Sequence, residues 1–215
     1  PVLENLMVHL THHDLERNSI LPQFLHFIFH HQPNLQSIVI IHILSDRHEP
    51  NEDHNILDQS ELARIPQGLF SSLANLRSIN KIVLENVFFA DPTFVLQFVN
   101  HLPFLPTLKK LRLLPVPASR LPRHAITFPT LGHLQLISSQ LPNLEQLDIK
   151  LDCSSFPLFL GPNTQLTPAS HPLTQLFIVP SSPLLETCTH AQFVSLSFYL
   201  DNLFPLVDDM VSRFD

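Results

Sequence analysis

The sequence predicts an α/β fold in which strands and helices alternate along the whole chain. Three observations carry this. One short apolar pattern recurs seven times. The segments between its copies place apolar residues at helical spacing. The 215 residues are 44% hydrophobic and 14% charged, which is too apolar for disorder and enough to fill a sizeable core.

The pattern is Pro-x-Leu-x-x-Leu-x-Leu, with Ile or Val exchanging for Leu. It begins as Pro1-Val2-Leu3-x-x-Leu6-x-Val8 and returns as Pro33-Asn34-Leu35-x-x-Ile38-x-Ile40. Next come Pro106-Thr107-Leu108-x-x-Leu111-x-Leu113, Pro129-Thr130-Leu131-x-x-Leu134-x-Leu136 and Pro142-Asn143-Leu144-x-x-Leu147-x-Ile149. Pro172-Leu173-x-x-Leu176-x-Ile178 is a shortened copy, and Ile79-x-x-Ile82-x-Leu84 lacks the proline. The closing alternation predicts a strand with one buried face. Proline cannot donate to a sheet ladder, so it stands ahead of the strand.

The intervening segments read as helices. Pro22 to His31 carries Phe24, Leu25, Ile28 and Phe29 on one side. Pro66 to Leu76 is a second candidate. Asp91 caps a third, with Pro92 at its first position and Phe94, Val95, Phe98 and Val99 following. Ala191 to Phe204 is a fourth, ended by Pro205.

Tandem strand–helix units make a leucine-rich-repeat solenoid, an arc or horseshoe with a parallel β-sheet on the concave face and helices on the convex face. A doubly wound α/β domain is the competing fold. Residues 1–215 then form a single domain of about seven irregular repeats. The first apolar positions are separated by 32, 44, 29, 23, 13 and 29 residues. The longest step contains residues 45–61, an acidic loop excursion with six acids against Arg47. The shortest leaves only seven residues between Leu136 and Leu144, fewer than the dozen or so a parallel crossover takes. That predicts a packing defect, or a bare convex side, near Ile137–Asn143.

Composition excludes several functions. The three glycines, Gly68, Gly132 and Gly161, are far apart, so no GxGxxG, P-loop or GxSxG motif can be written. Twelve basic residues against nineteen acidic give a net charge of −7, which disfavours nucleic acid and anionic membranes as partners. Two cysteines and no N-x-[ST] sequon suit a reducing, intracellular setting, cytoplasm or nucleus. No run approaches the roughly 18 apolar residues of a membrane helix.

Little catalytic chemistry is legible. Of fourteen histidines, His9 and His13, and His26 and His30, have the i, i+4 spacing that can hold a metal on a helix. There is no HExxH and no placed third ligand, so no metal or cofactor is expected. His26 and His30 read as the polar edge of an amphipathic helix, and His12-His13-Asp14 as a loop. Cys153, after a strand, and Cys188, opening a helix, read as buried structural thiols. No nucleophile–base–orienter set is marked out, and the chain reads as no enzyme. Lys109, Lys110 and Arg112, with Arg120, Arg123 and His124, are the only positive cluster.

Strand geometry supplies a candidate surface. The residue between the last two leucines points away from the core. In chain order that position is Met7, Val39, Val83, Arg112, Gln135, Asp148 and Phe177. The outward position before it is Asn5, Ser37, Lys81, Lys110, His133, Gln146 and Gln175. The stripe is apolar at first, charged in the middle and aromatic at its end. Such a surface suits a protein partner on the concave face of a monomer.

The units "QPNLQSIVI", "FPTLGHLQL" and "LPNLEQLDIKL", and the closing "HPLTQLFIV…AQFVSLSFYLDNLFPLV", resemble the repeats of mushroom-type fungal F-box proteins. The resemblance implies the substrate-recognition part of an SCF-type ubiquitin-ligase receptor. No F-box segment is present, since Pro1 already begins a repeat, so the ligase adaptor is a partner only if an F-box lies upstream. A free-standing repeat scaffold or inhibitor is the first alternative. A metal-dependent enzyme using the N-terminal histidines is the second.

Overall fold

A computed structural model of the protein describes residues 3–10, 20–42, 72–85, 94–114, 128–153, 171–180, 190–207 and 209–212. Among these residues seven strands form one open sheet: β1 (Asn5–Leu10), β2 (Ser37–His42), β3 (Lys81–Glu85), β4 (Lys110–Leu114), β5 (Gln146–Leu151), β6 (Gln175–Pro180) and β7 (Asp209–Ser212). Their order in space is their order in the chain, and every neighbouring pair is parallel. Among the described residues four helices lie on crossovers: α1 (Ile20–His31), α2 (Phe94–Asn100), α3 (His133–Gln140) and α4 (His190–Leu203). The α/β class and the parallel sheet are as the sequence predicts.

The prolines acquire a specific job. Leu35 N–H donates to Gln32 C=O (3.1 Å), Leu108 to Leu105 (3.2 Å), Leu144 to Leu141 (3.1 Å) and Val207 to Phe204 (3.2 Å). Each is a tight turn into a strand, with Pro33, Pro106, Pro142 or Pro205 at its second place. Proline's fixed φ suits that place. Pro106→Ala and Pro142→Ala should therefore each lower stability by about 0.4–1 kcal/mol by freeing the unfolded chain, as read by urea unfolding.

Past the turn, one hydrogen-bonding step joins each of β2 to β6 to the strand before it. Glu4 C=O accepts from both Gln36 and Ser37 N–H (2.7 and 3.1 Å). The same forked bond recurs at the carbonyls of Gln36, Asn80, Lys109 and Glu145. A repeated sequence thus produces a repeated interface.

One hydrophobic cluster lies against one face of this sheet. The first apolar place of the repeats that form β2 to β6, at Leu35, Ile79, Leu108, Leu144 and Leu173, is completely buried, and Leu3 ahead of β1 is half-buried. Ile38, Ile82, Leu111, Leu147 and Leu176 follow at the second place, and Leu25, Phe29, Phe98, Val99, Leu134, Ile137, Tyr199 and Leu203 meet them from the helices. Each such side chain contributes roughly 1.5–3 kcal/mol of burial free energy.

Three expectations are corrected. The Pro129–Leu136 copy is not a strand. Its core supplies α3, the crossover from β4 to β5. Leu131, Leu134, Ile137 and Leu141 are all fully buried at helical spacing, whereas Leu136 is only half-buried. The first turn is closed by His133, whose Nδ1 accepts from Thr130 N–H (3.0 Å) with the Thr130 hydroxyl 2.9 Å away. The cap residue of α3 is Gly132, which makes no side-chain cap bond, and His133 N–H donates to Thr130 C=O (3.0 Å). The packing defect expected near Ile137–Asn143 is accordingly filled. Second, the sheet gains β7, at Pro205-Leu206-Val207-x-x-Met210-x-Ser212, with Met210 paired to Leu176. Third, Phe24 is exposed, while Leu25, Ile28 and Phe29 of its helix enter the core.

The acidic segment 45–61, residues 66–71 of the second predicted helix, Asp91-Pro92, His12 to Asp14, Cys188, Arg120, Arg123 and His124 lie outside the described residues. Among the described residues no helix is long and apolar enough to cross a membrane.

Candidate interaction face

The register turns the predicted stripe into a line. Met7, Val39, Val83, Arg112, Asp148 and Phe177 are consecutive partners from β1 to β6. Asn5, Ser37, Lys81, Lys110, Gln146 and Gln175 form a second line beside it. Alternation along each strand aims both lines away from the hydrophobic cluster, onto the face that the described helices leave uncovered. Gln135 and His133, expected in these lines, belong to α3 instead and leave the set, because their segment is helical. Glu85 and Lys150 join it. Each follows a stripe residue by two, an outward position the sequence could have flagged.

The expected row of exposed apolar residues shrinks to one. Met7 is 65% exposed, but Val39 and Val83 are only 6% and 5% exposed although neither belongs to the main cluster. Short side chains on inner strands are shaded by longer neighbours. Val83 lies between Lys81 and Glu85 on its own strand and beside Arg112 on the next. Phe177 is half-buried.

Charge is concentrated at the middle of the line. Arg112 Nη2 stands 3.3 Å from Glu85 Oε1, and its Nε stands 3.7 Å from Asp148 Oδ2. The longer distance is an ion pair without a hydrogen bond, so Nε is left without an acceptor. Asp148 is buried and also receives the Gln146 side-chain amide at 3.4 and 3.5 Å. At the sheet's entry edge Lys109 Nζ pairs with Glu145 Oε1 (2.8 Å), an exposed pair worth little to stability. Near the end of β5, Lys150 Nζ lies 5.3 Å from the centre of the buried Phe128 ring, a cation–π contact.

The remaining titratable groups serve the fold. Burial, then the neighbouring Asp152 charge, pushes the Cys153 thiol up to about 12, which makes it a poor nucleophile. Burial likewise pushes the Tyr199 phenol up to about 12, and its hydroxyl donates to Leu131 C=O at 3.0 Å, tying α4 to the start of α3. The rings of His26 and His30 stack at 6.4 Å on α1. His9 lies in β1 and not on a helix, and His13, its expected partner, lies outside the described residues. Among the described residues no three His, Cys, Asp or Glu side chains gather to hold a metal.

His171 was missed by the sequence reading. Its Nδ1 accepts from Leu173 N–H (3.2 Å), so its Nε2 carries the proton and donates to Leu141 C=O (2.9 Å). The ring also meets Phe204 edge-on at 5.1 Å. The copy at Pro172 is one residue short, and the side chain occupies the place of the turn bond that the other copies make in backbone. Burial lowers its pKa, opposed by the Leu141 hydrogen bond.

Comparison of the chain with protein-family models, with curated proteins and with solved structures finds no match.

Proposed function

We propose that the chain is a non-catalytic protein-binding module, a leucine-rich-repeat solenoid whose partner docks across the sheet face that the described helices leave uncovered. The observation that carries this reading is the unbroken register line from Met7 to Phe177, built on one repeated hydrogen-bonding step. Such an array sets side chains from six strands at fixed intervals, which suits recognition of an extended surface. An exposed Met, a central Arg and an aromatic are residue types enriched at protein interfaces. The repeat resemblance gives the role its specific form: substrate recognition for an SCF-type ubiquitin ligase, with the adaptor gripped by an F-box upstream of Pro1. The setting that goes with it is intracellular.

Two exposed positions test the face without disturbing the core. Met7→Arg and Gln175→Arg should each weaken a purified partner's binding at least tenfold. Phe198→Arg, on the exposed side of α4, should leave it unchanged. The opposite pattern would move the interface to the helices.

A further inference from the structure

We propose that Lys81 and Lys110 form an anion-accepting pair that takes a carboxylate side chain from an acidic segment of the partner protein. This rests on the reading of the uncovered sheet face as a protein-binding surface. The two lysines are direct register partners on β3 and β4, flanked in the same line by Ser37 and Gln146. Neighbouring strands lie about 4.8 Å apart. Like charges placed side by side on one face of a sheet oppose folding.

Among the described residues no acid relieves that repulsion. Arg112 has Glu85 and Asp148, Lys109 has Glu145, and Lys150 lies over Phe128. Neither Lys81 nor Lys110 makes an ion pair or a side-chain hydrogen bond among the described residues. Among the described residues Glu85 and Asp148 are engaged by Arg112, and Glu145 by Lys109. Both lysines are half-buried, so their stems lie along the sheet while the ammonium groups reach water. A positive pair on a chain of net charge −7 runs against the overall balance and gains from an acid brought by a partner.

The chemistry favours carboxylate over phosphate. Phosphate sites use a free guanidinium fork or a nest of backbone N–H groups. Here the guanidinium of Arg112 is committed, and the strand N–H groups are spent in the ladders. Two separate ammonium groups beside the neutral donors Ser37 and Gln146 suit a Glu or Asp side chain on an extended segment.

The test uses the full chain and a fluorescein-labelled twelve-residue peptide of alternating Glu and Ser, read by anisotropy in low salt at pH 7.5. The expected result is saturable binding that weakens at least tenfold in Lys81→Gln/Lys110→Gln, and as much when Gln replaces Glu in the peptide. The double variant should melt at or above the wild-type temperature, since a repulsion is removed. Three results would overturn the proposal: no binding of the Glu peptide, equal binding by the double variant, or a fall in its melting temperature. Displacement of the peptide by millimolar inorganic phosphate but not by equimolar acetate would also overturn it, by making this a phosphate site. If the lysine dependence fails while partner binding still depends on Met7 and Gln175, the pair is wrong and the face stands.

Discussion

His171→Ala should lower folding stability by about 1–3 kcal/mol, the cost of leaving the buried Leu173 N–H without an acceptor, since Leu141 C=O keeps the Leu144 N–H at 3.1 Å. The imidazole bridges Leu173 N–H and Leu141 C=O at 3.2 and 2.9 Å. They belong to successive repeats, so the ring acts as a clip between rungs as well as a turn substitute. The same geometry sets a pH dependence. Adding a proton to Nδ1 would point one donor at another, the Leu173 N–H, and burial already holds the pKa below its ordinary value of 6.5. The unfolded chain therefore takes up a proton as pH falls through about 6.5 while the folded chain does not. His171's contribution is complete above that pH and declines on acidification toward its lowered folded value. Urea unfolding at pH 7.5 and 5.0 should show wild-type stability dropping, with a smaller drop in His171→Ala. An equal drop in both would remove His171 as a source of the acid sensitivity.

Ile137→Ala should cost about 2–5 kcal/mol, and Leu136→Ala less than about 1 kcal/mol. The contrast separates two readings of one segment. As a strand, Leu134 and Leu136 share the buried face. As a helix, Leu134, Ile137 and Leu141 do, and all three are fully buried. Equilibrium unfolding of the two variants decides it, and a larger loss from Leu136→Ala would restore the strand.

That segment shows where the sequence was legible and where it was not. Six of the seven copies fall on strands because an apolar residue at every second place satisfies a sheet with one covered face. In the copy at Pro129, Leu134-x-Leu136 satisfies the same rule, but Leu131, Leu134, Ile137 and Leu141 also satisfy a helix. Only the need for a crossover between β4 and β5 decides between them. The last strand was hidden for the opposite reason. Val207, Met210 and Ser212 stand where other copies have leucine, and the surviving signal is the tight turn at Pro205.

The candidate face was legible by position, since the two-residue period of a strand fixes which side chains share a face. Its electrostatics were not. Glu85 lies beyond the pattern, and its contact with Arg112 depends on which strands become neighbours. The burial of Val39 and Val83 depends equally on flanking side chains from other repeats. His171 escaped because a missing residue in a turn is visible only when the copies are set against the turn's hydrogen bond.

The central claim is that the partner lies across the sheet face that the described helices leave uncovered. A photo-crosslinking residue at Gln175, in the line on that face, and another at Phe198, on the outer side of α4, test it most directly. With a purified partner present, the account predicts adducts from Gln175 and none from Phe198. Adducts from Phe198 alone would contradict it and place binding on the helices.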